Sequence, residues 1–177
     1  MTNAELAILS LIAEKSRHGY EIEQVIEARG MRDWTEVGFS SIYYLLNKLE
    51  KAGLIESRLE QAEGRGPARK VYQITENGQE AQINATLAAL SEPVNSYPPF
   101  LLAMSNLPML PPAQILPALN IYRNTLTERK LELVAKVEQQ SPMPGFVEAM
   151  FDYSINLIEA EMAWIERFIT QVEAGNV

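Results

Sequence analysis

Apolar positions recur at helical spacing in three successive runs of the first 53 residues. The first run opens on Thr2-Asn3-Ala4-Glu5, a capping-box pattern in which Glu5 reaches back to Thr2. Leu6, Ile8, Leu9, Leu11, Ile12 and Ala13 then give it a broad apolar surface. The second starts after His18-Gly19, with Tyr20, Ile22, Val25 and Ile26 expected on its inner face and Gly30 suited to its C′ position. The third starts near Ser40 and stops at Gly53, with Ile42, Leu45, Leu46 and Leu49 on one face. Two extended runs, residues 54–59 and 70–75, flank a Gly/Pro-shaped turn at 63–67. A fourth helix is expected from Thr75 to about Leu90. Three helices, a hairpin and a helix, in that order, predict a winged helix-turn-helix with a two-stranded wing.

The pattern changes after residue 91. Seven of the ten prolines fall between residues 93 and 117, so this stretch cannot be one long helix. A boundary is expected near residues 91–97, separating a DNA-binding domain (1–91) from a helical dimerisation and regulatory domain (92–177). Surviving apolar pieces in the proline zone point to a packed connector. A helix over 113–139, carrying Ile115, Leu119, Tyr122, Leu126, Leu133 and Val137, meets the break Ser141-Pro142-Met143-Pro144-Gly145. That short break predicts an antiparallel partner over 146–172. The partner has two apolar stripes. One runs through Phe146, Met150, Tyr153, Leu157, Ala160, Trp164 and Phe168, the other through Phe151, Ile155, Ile158, Met162, Ile165, Ile169 and Val172. Two seams need two partners. One is the preceding helix, and a second protomer is expected on the other. Met150, Leu157, Ile158, Met162, Trp164, Ile165, Phe168 and Ile169 are the expected dimerisation residues. A mainly α fold follows: a winged domain and an antiparallel helical arm.

Composition narrows the chemistry. The 177 residues include no cysteine and one histidine, His18. Disulfides, thiolate metal sites and cysteine nucleophiles are excluded, and no cofactor, metal set or nucleophile–base pair emerges. The chain is not expected to be an enzyme. His18 reads as a turn residue, or as a phosphate contact at a helix start. No apolar run is long enough to span a bilayer, and the first 15 residues do not read as a signal peptide, so a reducing cytoplasmic compartment fits. Net charge is −8, with −3 in residues 1–90 and −5 in 91–177. Yet residues 64–72 hold Arg65, Arg69 and Lys70 and no acid.

On a helical wheel of the third helix, Ser40, Tyr44, Asn47, Lys48 and Lys51 lie opposite the core stripe, with Ser41 and Tyr43 flanking. Hydroxyls, an amide, phenols and amines on one face suit contact with phosphates and base edges. The alternative for this face, and for the basic turn, is plain solvation.

The segments LAILSLIAEKSRHGYEI (6–22), SSIYYLLNKLEKAGLIESR (40–58) and GRGPARKVYQITENGQE (64–80) together resemble the PadR family of transcriptional regulators. The resemblance implies a winged-helix regulator that binds double-stranded DNA as a homodimer. Tyr20, in the G-Y-E-I element, and Ser41 and Tyr43, at the start of the recognition helix, correspond to DNA-contacting positions of the family. Arg65, Arg69 and Lys70 correspond to its basic wing. Tyr44 stands where many members have a small residue. Repression at an inverted-repeat operator is expected, with activation, or a protein-interaction module without DNA binding, as alternatives. Some relatives respond to phenolic compounds. A small aromatic effector is therefore an expected partner, for a pocket of Tyr97, Phe100, Met104, Tyr122, Phe151 and Trp164 between the arm and the winged domain.

Overall fold

The computed structural model describes residues 1–35, 37–38, 41–61 and 68–176. The chain forms two compact units, Met1–Asn95 and Ser96–Val177.

The first unit contains α1 (Asn3–Glu14), β1 (Arg17–His18), α2 (Gly19–Ala28), a single 3-10 turn (Met31–Asp33), α3 (Ser41–Lys51), β2 (Ile55–Glu60), β3 (Arg69–Ile74) and α4 (Glu76–Ser91). The capping box of α1 is present: the Glu5 N–H donates to Thr2 Oγ1 at 3.2 Å, and the Thr2 N–H to Glu5 Oε2 at 2.8 Å. Gly30 (φ 59°) and Gly53 (φ 70°) follow α2 and α3 in the left-handed region, where a Cβ is disfavoured. One core unites Ile8, Leu9, Ile12, Ile22, Ile26, Ile42, Leu46, Leu49, Ile55 and Tyr72. Tyr20 is not on the inner face of α2: its ring is 61% exposed, because the stripe facing the core runs through Ile22 and Ile26.

The sheet has three strands in the order β1-β3-β2, one more than the hairpin alone. Arg17 pairs with Tyr72 and His18 with Val71, antiparallel. Two residues are too few to show an alternating pattern. Their effect is large, since they fasten the start of α2 to the base of the wing. At the other end of the wing, Thr75 caps α4 by accepting from the Gly78 N–H at 3.0 Å and donates to the Gly53 carbonyl at 2.8 Å. A Cβ on Gly78 would collide with the Leu54 carbonyl oxygen. The glycines of these two segments thus serve close backbone approach and a left-handed turn.

The second unit contains α5 (Pro99–Ser105), a 3-10 turn (Leu107–Met109), α6 (Pro112–Gln140) and α7 (Gly145–Glu173). The last two have 29 residues each, about 43 Å at 1.5 Å per residue. They lie antiparallel, with Ile115, Leu119 and Leu126 against Ile165, Phe168 and Ile169. Tyr122 donates to Glu161 at 2.5 Å, and Lys130 pairs with Glu159 at 2.6 Å. Here the expected dimerisation set divides. Ile165, Phe168 and Ile169 are buried within the protomer, and Ile158 and Met162 pack against the same core. They serve the α6 seam, so they are not free for a second chain. Met150, Leu157 and Trp164 remain solvent-accessible, as do Phe146 and Tyr153, although they share their stripe with the buried Phe168. No helix among the described residues is long and apolar enough to cross a membrane.

Candidate nucleic-acid interface

The core stripe of α3 fixes which side chains face outward. Ile42, Leu45, Leu46 and Leu49 turn inward, leaving Tyr43 55% and Tyr44 66% exposed, with Asn47 and Lys51 also exposed. Ser41 sits at the start of the helix, where its hydroxyl donates to the Gly38 carbonyl at 2.6 Å. Its lone pairs remain able to accept. Ser40 and Arg65 lie outside the described residues, as does the turn at 62–67.

Tyr43 is held by its neighbour in space. A Cβ on Gly19 would stand 2.7 Å from the Tyr43 ring, so glycine at the start of α2 lets the phenol lie close to that helix end. With β1 holding the start of α2 against β3, three elements converge on an open cleft of about 610 Å³. It is lined by His18, Gly19, Tyr20, Glu21 and Gln24, by Tyr43, and by Arg69, Lys70 and Tyr72, so one carboxylate shares it with two cations. The structure therefore brings Tyr20, Tyr43, Arg69 and Lys70 together. Gln24 and Tyr72 were not foreseen there. The signals were present: Gln24 is one helical turn beyond Tyr20, and Tyr72 is two residues from Lys70 on the same side of a strand.

The cations on this face are not equivalent. Lys48 pairs with Glu5, whose side chain is nearly buried under α3. The hydrogen bond from Lys48, assisted by the Thr2 N–H, holds the Glu5 carboxyl below its ordinary value. Lys70 pairs with Glu50 at 2.7 Å, and its ammonium lies 5.1 Å from the centre of the Tyr72 ring. Glu50 is lowered by the bonds from Lys70 and then Ser57, while burial raises the Tyr72 phenol. Lys48 and Lys70, both expected at the DNA-facing surface, thus each lie within reach of a carboxylate on a neighbouring element. Arg69 and Lys51 are exposed and have no ion-pair partner among the described residues.

Residues 8–83, from the middle of α1 to the middle of α4, match the model of the transcriptional regulator PadR-like family. Over these residues, less than half of the chain, the protein is similar to that family. Members of that family are transcriptional regulators with a winged-helix DNA-binding domain, not enzymes. An uncharacterised protein of Lysinibacillus sphaericus is 38% identical over 71 residues, covering 40% of this chain and 63% of that protein. The match thus spans less than two thirds of that relative's length. The fold of the full chain is similar to that of Bacillus subtilis PadR in complex with operator DNA (TM-score 0.77, 18% identity, 95% of this chain and 98% of that one). It is also similar to that of the same protein in complex with p-coumaric acid (TM-score 0.76, 18% identity, 96% and 98%). A PadR-like regulator from Bacillus cereus is a third match (TM-score 0.69, 21% identity, 98% and 99%). At these identities the likeness is one of fold.

Proposed function

We propose that this chain is a transcriptional repressor that binds an inverted-repeat operator as a homodimer and is released by a small aromatic effector. The observation that carries DNA binding is the convergence of Tyr20, Tyr43 and Arg69 beside the outward face of α3. In this docking α3 lies in the major groove, with Tyr44, Asn47 and Ser41 at base edges. Tyr20, Tyr43 and Arg69 meet the backbone, as does Arg65 at the wing. Lys48 and Lys70 enter that surface already paired. Dimerisation is assigned to the free stripe of α7, Met150, Leu157 and Trp164 with Phe146 and Tyr153, since a twofold dimer presents two recognition helices to two half-sites. The complexes of Bacillus subtilis PadR with operator DNA and with p-coumaric acid support both parts of the reading.

For the effector, the second unit offers an aromatic group. Phe100 and Tyr122 lie 4.6 Å apart between ring centres, Phe100 meets Trp164 edge-on at 5.9 Å, and Trp164 stacks on Phe168 at 5.1 Å. Met104 packs on the same cluster, whereas Tyr97 is exposed. The Tyr122 phenol, raised to about 12 by burial and by its bond to Glu161, stays protonated as a donor. An aromatic effector would insert among these rings.

The test is selection of bound genomic fragments, footprinting of the preferred site and its position relative to the transcription start. Overlap with the promoter, and release by a phenolic compound that alters Trp164 fluorescence in a Trp34→Phe background, is the expected result. One observation favours a second reading, a protein-interaction module: the internal pairing of Lys48 and Lys70 in an acidic chain. Failure to bind any duplex at low salt would decide for it.

A further inference from the structure

Glu50 occupies the last turn of α3, outside the set of residues expected to touch DNA. It is the point where three elements of the winged unit meet. Its Oε2 accepts from Lys70 Nζ on β3 at 2.7 Å, and its Oε1 accepts from the Ser57 hydroxyl on β2. The carboxylate side chain is 29% exposed and that of Lys70 42% exposed, so the pair is partly shielded from solvent. Elsewhere in the unit Arg17 and Arg29 share Glu14, Arg32 pairs with Glu27 and Arg58 with Glu60.

We propose that Glu50 is a specificity-determining residue that sequesters Lys70, keeping one cation of the DNA-facing surface out of nonspecific phosphate binding. This rests on the DNA-binding reading above. The argument is one of charge. A lysine that neutralises a phosphate releases counterions and strengthens binding to every sequence alike. A lysine already neutralised by a carboxylate gains little from a phosphate, because the internal pair must be broken first. The burden of recognition then shifts to the neutral groups of α3, Tyr44, Asn47 and Ser41, which meet base edges and discriminate among sequences. Glu50 therefore trades affinity for discrimination. Its grip on Ser57 holds its carboxylate beside the strand from which Lys70 projects. A device of this kind suits a chain of net charge −8, which must bind DNA through few unpaired cations.

Glu50→Gln separates sequestration from simple bracing, because glutamine still accepts from Ser57 and carries no charge to hold Lys70. Two measurements on the full chain are needed. In the absence of DNA, reductive methylation followed by peptide mapping should modify Lys70 severalfold faster in the variant, with Lys51 as the internal reference. On a selected operator and a scrambled duplex, the variant should bind the scrambled duplex severalfold more tightly, narrowing the ratio between the two. The slope of log affinity against log salt should steepen by about one. The double variant Glu50→Gln, Lys70→Gln should return to the parental slope. Equal labelling of Lys70 in parent and variant would overturn the proposal. So would an unchanged slope, or a steeper slope that survives loss of Lys70. If Lys70 is released but neither protein binds any duplex at low salt, the DNA-binding reading is what fails, and the role in specificity falls with it.

Discussion

At the scale of single residues, the winged unit is built from close approaches that leave little choice of side chain. Gly78 and Gly19 illustrate two kinds. A Cβ at Gly78 meets a backbone oxygen, which cannot move without shifting the turn after α3. Gly78→Ala should therefore destabilise by about 1–3 kcal/mol, the range for forced overpacking. A fall in melting temperature of several degrees checks this. A Cβ at Gly19 meets the Tyr43 ring, an exposed side chain that can swing away. Gly19→Ala should leave the melting temperature nearly unchanged while weakening DNA binding, because Tyr43 loses its seat; equal loss of both would refute that assignment. Glu5 gives a dependence on pH. Its carboxyl lies below the ordinary 4.5, chiefly through Lys48. A depressed native value means stability that is full above about pH 4.5 and drains away as pH falls from there through the native value. Glu5→Gln lacks that term. The gap in melting temperature between parent and Glu5→Gln should be widest near neutrality and close on acidification; a gap constant with pH would show that packing, not charge, makes the difference.

At the scale of elements, the proposed docking gives α3 and the wing separable tasks. Arg69 projects from the first position of β3 without an ion-pair partner among the described residues. Arg69→Ala should weaken operator and scrambled duplex about equally and lower the salt slope by roughly one. Asn47 and Tyr44 lie on the outward face of α3. Replacing either with Ala should instead change preference between operators, by about 1–3 kcal/mol at a contacted base pair. Salt titrations of each variant on both duplexes distinguish the two classes. An Arg69→Ala protein indistinguishable from the parent across the salt range would remove the wing from the interface. Lys48, bound to Glu5 from α1, would have to give up that pair to meet a phosphate.

At the scale of the whole molecule, the proposed dimer rests on the arm. Leu157 and Ile165 share α7, yet Leu157 is 54% exposed in the protomer and Ile165 is fully buried against α6. Aspartate at either site is disruptive in different ways, since an unpaired carboxylate costs several kcal/mol only where it is buried. Leu157→Asp should give a folded monomer with near-parental helicity, and Ile165→Asp a protein whose arm is unfolded. Sedimentation with circular dichroism reads both. A Leu157→Asp protein that stays dimeric would move the interface away from this stripe.

Much of this architecture is legible in the sequence. The three helical runs, the capping box at Thr2 and Glu5, the turns at Gly30 and Gly53 and the long helices flanking Ser141–Gly145 all follow from spacing and from local backbone chemistry, which act over a few residues. The outward face of α3 was legible for the same reason, because a helix with one apolar stripe has one opposite side. The rest depended on contacts between residues distant in sequence. Strand β1 forms only because β3 offers it a ladder. Whether Lys48 and Lys70 are free depends on Glu5 and Glu50, which lie 43 and 20 positions away. Which of two equally apolar stripes of α7 faces α6 is a matter of how two helices roll together. Periodicity shows that a face will be buried, and only the packed structure shows against what.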